Sequence, residues 1–591
     1  MQFLKAQAIK RAILCASAVW LISQSAWAQS DEPATLKLSP VLLRQIETAK
    51  PDDKVKVIVA LKRKSSRPYR PEELLSPRAI ARRMKMVQSG ALPSLITQED
   101  LPFDEADLNT LSASGLRIRH VLKWLDAVSG EIRVGDLVQL AAQSAVKSVN
   151  ELVAHKKEKH ENHSTQLETA IEIPTDEVNH LTNAIDYGQS LPQLALSNIP
   201  EVHSLGITGR GVLIANFDAG FSNLAHEAFR SLRVVAQYDF VENRRQLEAH
   251  PHGTATMGVI AGNQPGRLIG AAFGADYALA RTEDARTETP VEEDNWAAAA
   301  QWADSLGVDI ITSSLGYTVF DPPFPPYTWQ QMDGKTAIST RAAARAAQVG
   351  IVVVNSAGNG GTIALPANTL GAPADADTLI SVGAVTSAGA RAAFSSVGPT
   401  ADGRIKPDVM AVGVSVFTVG TSTPSSYARA NGTSFSCPIV AGVAALLLSA
   451  NPTLTPVQVR NILRETASNH AAPNREIGWG IVNARAALER ARQVSTTALT
   501  SAPPKTFELY QNYPNPFNPI TQIRYRLPVS SKVRLEVFDM LGRRIATLVE
   551  ARQEAGEYQM RFNAENLPSG MYLLRLQAGG FSDTKKMLLV K

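Results

Sequence analysis

Cysteine is nearly absent. Cys15 and Cys437 are the two in 591 residues, and Cys15 lies in a stretch, residues 1–28, that reads as a secretory signal peptide. Lys5, Lys10 and Arg11 charge its start, and Ala12 to Ile22 form an apolar run too short to span a bilayer. Ala26-Trp27-Ala28 offer small residues for cleavage before Gln29; an uncleaved anchor is the alternative. Loss of Cys15 with that segment excludes an intramolecular disulfide in the product, whose stability must then come from core burial. No run of small residues precedes Cys15, which argues against a lipid anchor. Long hydrophobic runs are missing after residue 28, so the mature form is expected to be soluble and to lack a transmembrane segment. Charge of one sign is missing too: the net charge is +4. Glu201 to Arg490 carries 20 Lys+Arg against 24 Asp+Glu, about −4, which leaves about +8 for the remainder. That balance gives no case for nucleic acid as the main partner.

What is present is enough chain for several domains, since single cores rarely grow past about 250–300 residues. Residues 29–155 read as an α+β unit of ferredoxin-like pattern. Val55–Leu61, Leu116–Leu122, Ala127–Val134 and Lys147–Val153 read as strands, with helices over Pro77–Val87 and Val138–Ala142. A basic unit ahead of an acidic one suggests a propeptide that docks electrostatically. Residues 156–195 are polar and read as a cleavable linker with the maturation site. The histidines at 155, 160 and 163 are read as part of this solvated stretch, with a metal cluster or pH sensor as the rival reading.

Residues 196–492 alternate strand and helix, which predicts an α/β fold with a mostly parallel sheet. Gly211–Phe217, Val308–Ser314, Ile351–Asn355 and Leu379–Val385 are apolar strand runs, and Asp294–Leu306 and Thr336–Ala347 are helical between them. Sites in such sheets form beyond the strands' carboxyl ends. There stand Asp218 after the first run, Asn359 after the third, and Ser314-Leu315-Gly316 after the second. His252 opens an apolar helical stretch. Ser434 lies in Gly432-Thr433-Ser434-Phe435-Ser436-Cys437-Pro438, ahead of a helix read as Pro438 to Ala450, with Pro438 in its first turn. Each residue has a plain reading as a cap or turn residue. Together they supply a hydroxyl nucleophile, a base, a carboxylate to hold the base, and an amide for a developing oxyanion.

The order Asp, His, Ser, each in its own motif, resembles the subtilases, the subtilisin-like serine peptidases. The motifs are Ile214–Gly220, His252-Gly253-Thr254, Ser356–Asn359 and Gly432–Pro438, supported by Ser313–Gly316, Phe394–Pro399 and Lys406–Val409. The resemblance spans about residues 200–490. It implies a three-layer catalytic domain and hydrolysis of protein or peptide substrates with no cofactor in the chemistry. Ser434 would be nucleophile, His252 base, Asp218 its orienter, and Asn359 an oxyanion donor with the Ser434 amide. Ser314, Leu315 and Gly316 would pair with substrate backbone, and Ala357 and Gly358 would wall the pocket before the scissile bond. The propeptide would assist folding and inhibit until cut. Structural calcium is implied by the family, but no Asp-rich loop names ligands. Ala219 departs from the hydroxyl residue usual after the catalytic Asp and removes one possible hydrogen bond. Cys437 reads as a packed small residue. Glu283, Glu288, Glu292, Glu293 and Asp294 form an acidic run, expected to be a solvated helix start; a preference for basic substrate groups is the alternative.

Residues 493–504 form a small polar linker, and 505–591 read as a β-sandwich of short alternating strands. Its Tyr513–Pro519, Leu567–Tyr572 and Lys586–Lys591 stretches resemble a type IX secretion sorting domain. That implies the type IX machinery as a partner and passage across an outer membrane. A carbohydrate- or protein-binding sandwich is the alternative for this tail, and a catalytically silent adhesin the alternative for the whole chain.

Overall fold

A computed structural model describes residues 34–62, 64–152, 185–322, 324–362, 368–494, 506–512, 515–553, 556–565 and 567–590. The signal-peptide reading, the histidines at 155, 160 and 163, and most of both linkers lie outside the described residues.

The N-terminal unit has strands β1 (Lys54–Leu61), β2 (Arg117–Leu122), β3 (Ala127–Arg133) and β4 (Val146–Glu151), in the antiparallel order β2-β3-β1-β4. Alternate residues Val55, Val57 and Val59 of β1 are buried against Leu111, Leu137 and Leu140, as period-2 patterning requires. An added helix, α1 (Pro77–Gln88), lies in the connection between β1 and β2.

The central unit carries seven parallel strands in the order β11-β10-β9-β8-β5-β7-β6. In chain order they are β5 (Leu213–Asp218), β6 (Arg233–Asp239), β7 (Asp276–Arg281), β8 (Ile310–Ser313), β9 (Val352–Ser356), β10 (Ile380–Val385) and β11 (Val409–Val412). Strands β5, β8, β9 and β10 are buried throughout, which fits a sheet covered on both faces. Helices α3 (Val291–Leu306) and α4 (Ile338–Gln348) cover one face, and α2 (His252–Ala261) and α5 (Thr433–Ala450) the other. This is the expected α/β class, with three more strands than the apolar runs disclosed.

Helix α5 corrects two expectations. It begins at Thr433, five residues before the expected start, so Pro438 sits inside it rather than in its first turn. It is also long and apolar enough to cross a membrane, contrary to the reading that no later stretch is. Its residues Thr433 through Leu448 are all buried within the fold, so its apolarity serves the core.

The C-terminal unit is two packed antiparallel sheets. One pairs Glu508–Leu509, Ile520–Leu527 and Gly556–Asn563; the other Arg544–Gln553, Ser531–Asp539, Gly570–Ala578 and Phe581–Leu589. Ile523, Tyr525, Val533, Leu535, Leu574 and Leu576 share the core between them. The N-terminal unit packs its sheet on α3. Asp294 accepts from Ser129 Oγ at 2.6 Å and from Arg119, while Gln301 accepts from the Trp124 amide.

Candidate active site

Five chain segments meet at the carboxyl edge of the central sheet. Strand β5 ends in Asp218, whose side chain is fully buried. Its Oδ1 accepts from the Ala219 amide at 2.8 Å and lies 2.6 Å from His252 Nδ1. Its Oδ2 accepts from the Thr256 hydroxyl at 3.0 Å. Thr256 follows His252 by one helical turn on α2, so both face the same carboxylate. This residue was not singled out from sequence, although its spacing from His252 was available. It supplies a hydroxyl donor to Asp218, the kind of contact that Ala219 lacks.

A carboxylate only accepts, so Nδ1 of His252 carries the proton and Nε2 is left as the acceptor. Burial by itself depresses the His252 pKa, but the charge of Asp218 and its hydrogen bond outweigh this and raise it above its ordinary value. The His252 ring lies 5.9 Å from that of Phe435, beside Ser434 at the start of α5. Gly432 caps that helix at φ 143°, a region that favours glycine. Ser434 Oγ donates to the Ser314 carbonyl at 3.2 Å.

Pro438 explains a second contact. Four residues back, the Ser434 carbonyl loses its helical donor because proline has no N–H. Ser314 Oγ donates to that carbonyl at 2.8 Å instead. One serine thus braces the helical turn that carries Ser434.

Asn359 stands past β9 and is exposed. Its Oδ1 accepts from the Thr433 amide and hydroxyl, both at 3.0 Å, which leaves Nδ2 to donate elsewhere. The Gly358 amide donates to Thr433 Oγ1 at 3.3 Å, and Ala357 is buried. Leu315 and Gly316 project beyond β8, half-buried and exposed, and the Leu315 carbonyl accepts from Asn355 at 2.9 Å. The nine residues expected at a site therefore lie at or just past the carboxyl ends of β5, β8 and β9 and at the starts of α2 and α5. Cys437 is buried among the Thr312 hydroxyl and the Ser313 and Val354 carbonyls, and burial pushes its thiol up to about 12, as befits a packing residue.

The acidic run is not the solvated helix start expected. Glu292, Glu293 and Asp294 are each at most 1% exposed. Glu292 and Glu293 accept inside the protein: Glu292 takes the Thr289 amide at 2.9 Å, and Glu293 takes the Tyr327 hydroxyl and the Ser339 amide and hydroxyl. Asp294 accepts through Oδ2, and its buried Oδ1 has no hydrogen-bond partner among the described residues. Glu283 takes the Tyr317 hydroxyl. Burial and the neighbouring Glu288 raise Glu283 well above the carboxylate range, and burial with Glu283 does the same to Glu292. Buried and hydrogen-bonded, Glu292 and Glu293 do not present the solvent-facing charge that a preference for basic substrate groups would use.

Comparison with known proteins adds relatives to this geometry. Residues 209–480 match the Subtilase family, 56–167 the Peptidase S8 propeptide domain of Bacteroidota, and 511–591 the Secretion system C-terminal sorting domain. Subtilisin NAT of Bacillus subtilis subsp. natto is 34% identical over 311 residues, 52% of this chain and 73% of that protein. The crystal structure of fervidolysin from Fervidobacterium pennivorans, a keratinolytic enzyme related to subtilisin, shares the fold. It has a TM-score of 0.51 at 19% identity, covering 89% of this chain and 70% of that one. Subtilisin DY of Bacillus licheniformis is 34% identical over 305 residues, 51% of this chain and 100% of its own length. With a subtilisin matched from end to end and the family's description spanning the segment that holds all four motifs, this chain belongs to the subtilase family of serine peptidases.

Proposed function

We propose that the chain is made as an inactive precursor of a secreted endopeptidase and that Ser434, His252 and Asp218 carry the hydrolysis through an acyl-enzyme. Ser434 Oγ attacks the scissile carbonyl carbon as its proton passes to His252 Nε2. Asp218 stabilises the imidazolium so formed. The carbonyl oxygen, now negative, takes hydrogen bonds from Asn359 Nδ2 and the Ser434 amide. Collapse of this intermediate breaks the C–N bond, and His252 returns its proton to the leaving amine. Water then attacks the acyl-enzyme with the same base, releasing the acid and Ser434. Leu315 and Gly316 pair with the substrate backbone as an added strand, Ser314 braces the α5 turn from beneath, and Ala357 and Gly358 wall the pocket before the scissile bond. All these steps use side-chain and backbone groups of the chain.

The observation that carries the reading is the 2.6 Å contact of His252 Nδ1 with a buried Asp218, which leaves Nε2 basic beside the start of α5. The propeptide acts as intramolecular inhibitor, and the sorting domain takes the protein through type IX machinery to the outside or the cell surface. Structural calcium, implied by the family, is not well served by the three-carboxylate group Glu283, Glu288 and Glu292. Glu283 faces a tyrosine hydroxyl, Glu292 faces two amides, and both hold raised pKa values, which suits protons better than a divalent ion.

Ser434→Ala tests the assignment. The purified variant precursor is expected to remain uncut and to leave casein intact, where the native chain processes itself. A variant that matures unaided at the native rate would overturn it.

A further inference from the structure

Residues 64–104, between β1 and β2, carry α1 to a place remote from Asp218 and Ser434. Helix α1 lies at the amino edge of the central sheet, under the carboxyl ends of α3, α4 and α5. Arg82 donates to the Val308 carbonyl at 2.6 Å and the Val349 carbonyl at 3.1 Å, just past α3 and α4, and pairs with Asp304. Arg83 donates to Asp304 at 2.6 Å and to both oxygens of Asp100, at 2.7 and 2.8 Å. Arg78 donates to the Gly307 carbonyl at 3.0 Å and pairs with Asp309. Lys85 donates to the Pro452 carbonyl at 2.8 Å, two residues past α5. Four cations on one helix thus meet the negative ends of three others, a favourable arrangement.

The seat is closely packed and buried around Arg82 and Arg83, and opens to a cavity of about 250 Å³ beside Arg78 and Lys85. Arg82, Arg83, Asp100 and Asp304 are each at most 2% exposed. A Cβ at Gly307, the left-handed residue that ends α3, would come within 2.5 Å of the Arg78 Cβ, so the two backbones meet where a larger residue would push them apart. Burial works against the Asp100 carboxylate, but Arg83 and Arg345 outweigh it and hold its pKa well below the usual range. Asp218 and Ser434 stand at the opposite ends of the same elements. At about 3.3 Å per residue, six-residue β5 separates the two edges by about 20 Å. At about 1.5 Å per residue, the 18 residues of α5 place its two ends about 27 Å apart.

We propose that residues 64–104 are a second clasp, which holds the propeptide on the peptidase after the connecting chain has been cut. The surface around Asp304 and Asp309, with the carbonyls of Gly307, Val308 and Val349, recognises a helix bearing arginines spaced as 78, 82 and 83. Its partner is this chain's own propeptide, bound in cis before cleavage and as a separate fragment afterwards. The clasp rests on the reading of that unit as an inhibitor but makes a separate claim: retention does not depend on contacts around Ser434.

The test uses the full chain carrying Ser434→Ala and a site for an added, sequence-specific protease within residues 156–195. After the cut, gel filtration follows how long the propeptide stays with the remainder. The native clasp is expected to retain it, and Arg82→Gln with Arg83→Gln to release it about 100-fold faster, as for loss of buried charge pairs. Arg78→Ala, whose guanidinium side chain is 40% exposed, spares the buried network and should give a smaller acceleration in a chain whose urea melting before the cut matches the native one. Equal release from native, Arg78→Ala and doubly substituted chains would overturn the clasp. A parallel cut with Ser434 intact reads inhibition. Peptide hydrolysis by a complex that still holds its propeptide would sink the inhibitor reading and leave the clasp standing.

Discussion

Asp218 is held by three donors, and the hydroxyl among them comes from Thr256 rather than from the side chain of the residue that follows Asp218. Removing the Thr256 hydroxyl leaves Oδ2 of a buried carboxylate one donor short. Thr256→Val is expected to lower kcat about 10-fold, the size of a hydrogen bond to a charged group, and Thr256→Ser to restore most of it. Equal activity of Thr256→Val and the native enzyme would show that Asp218 does not depend on this contact. The raised pKa of His252 has a sign that can be read in kinetics. As the proposed base the imidazole works only when neutral, so activity is expected to be lost as pH falls through a value above the ordinary 6.5. The acid limb of kcat/KM should sit above that value, and Asp218→Asn should lower it along with the rate. The motif residues were legible because each carries its own local context: a strand end for Asp218, a helix start for His252, a glycine-flanked turn for Asn359. Thr256 was spaced to be found but has no motif of its own. The pair Arg83 and Asp304, 221 residues apart, leaves no local mark at all.

At the scale of elements, α5 shows how a proline and a serine from different segments make one structure. Ser314→Ala removes the donor that stands in for the missing Pro438 N–H, at a cost of about 1–3 kcal/mol for a buried carbonyl left unpaired. Adding Pro438→Ala returns a helical donor to the same carbonyl, so the double variant should recover part of the loss in urea melting. A double variant less stable than Ser314→Ala would contradict the pairing. Proline favours first turns, which points to a helix start at Pro438; the structure starts it earlier and supplies the lost hydrogen bond from Ser314, just past β8. Strands β8, β9 and β10 were plain as apolar runs. Strand β6 was not, because it is the edge of the sheet and alternates exposed residues, Arg233, Val235 and Gln237, with half-buried ones. The acidic run was misread for a related reason. Charge in a helix's first turn suggests solvent and dipole, whereas here hydroxyls and amides from distant segments cover it.

Across the whole molecule, the three units were legible from composition and motif: a ferredoxin-like pattern, alternating strand and helix, then short strands between turns. How the first unit grips the second was not, because the basic helix Pro77–Gln88 reads equally as a solvated face until its partners are placed. The sorting domain has its own core and two-sheet structure. Fused behind another exported protein in a host with type IX machinery, residues 505–591 are expected to carry it across the outer membrane. Retention of the fusion inside would favour a binding role for the sandwich. The central claim, an activated serine masked by its own propeptide, is met most directly by fluorophosphonate labelling of the precursor and of the matured protein, each beside Ser434→Ala. The account predicts one label per matured chain, little on the intact precursor, and none on the variant. A matured native chain that takes no label, or a Ser434→Ala chain that takes as much, would contradict it.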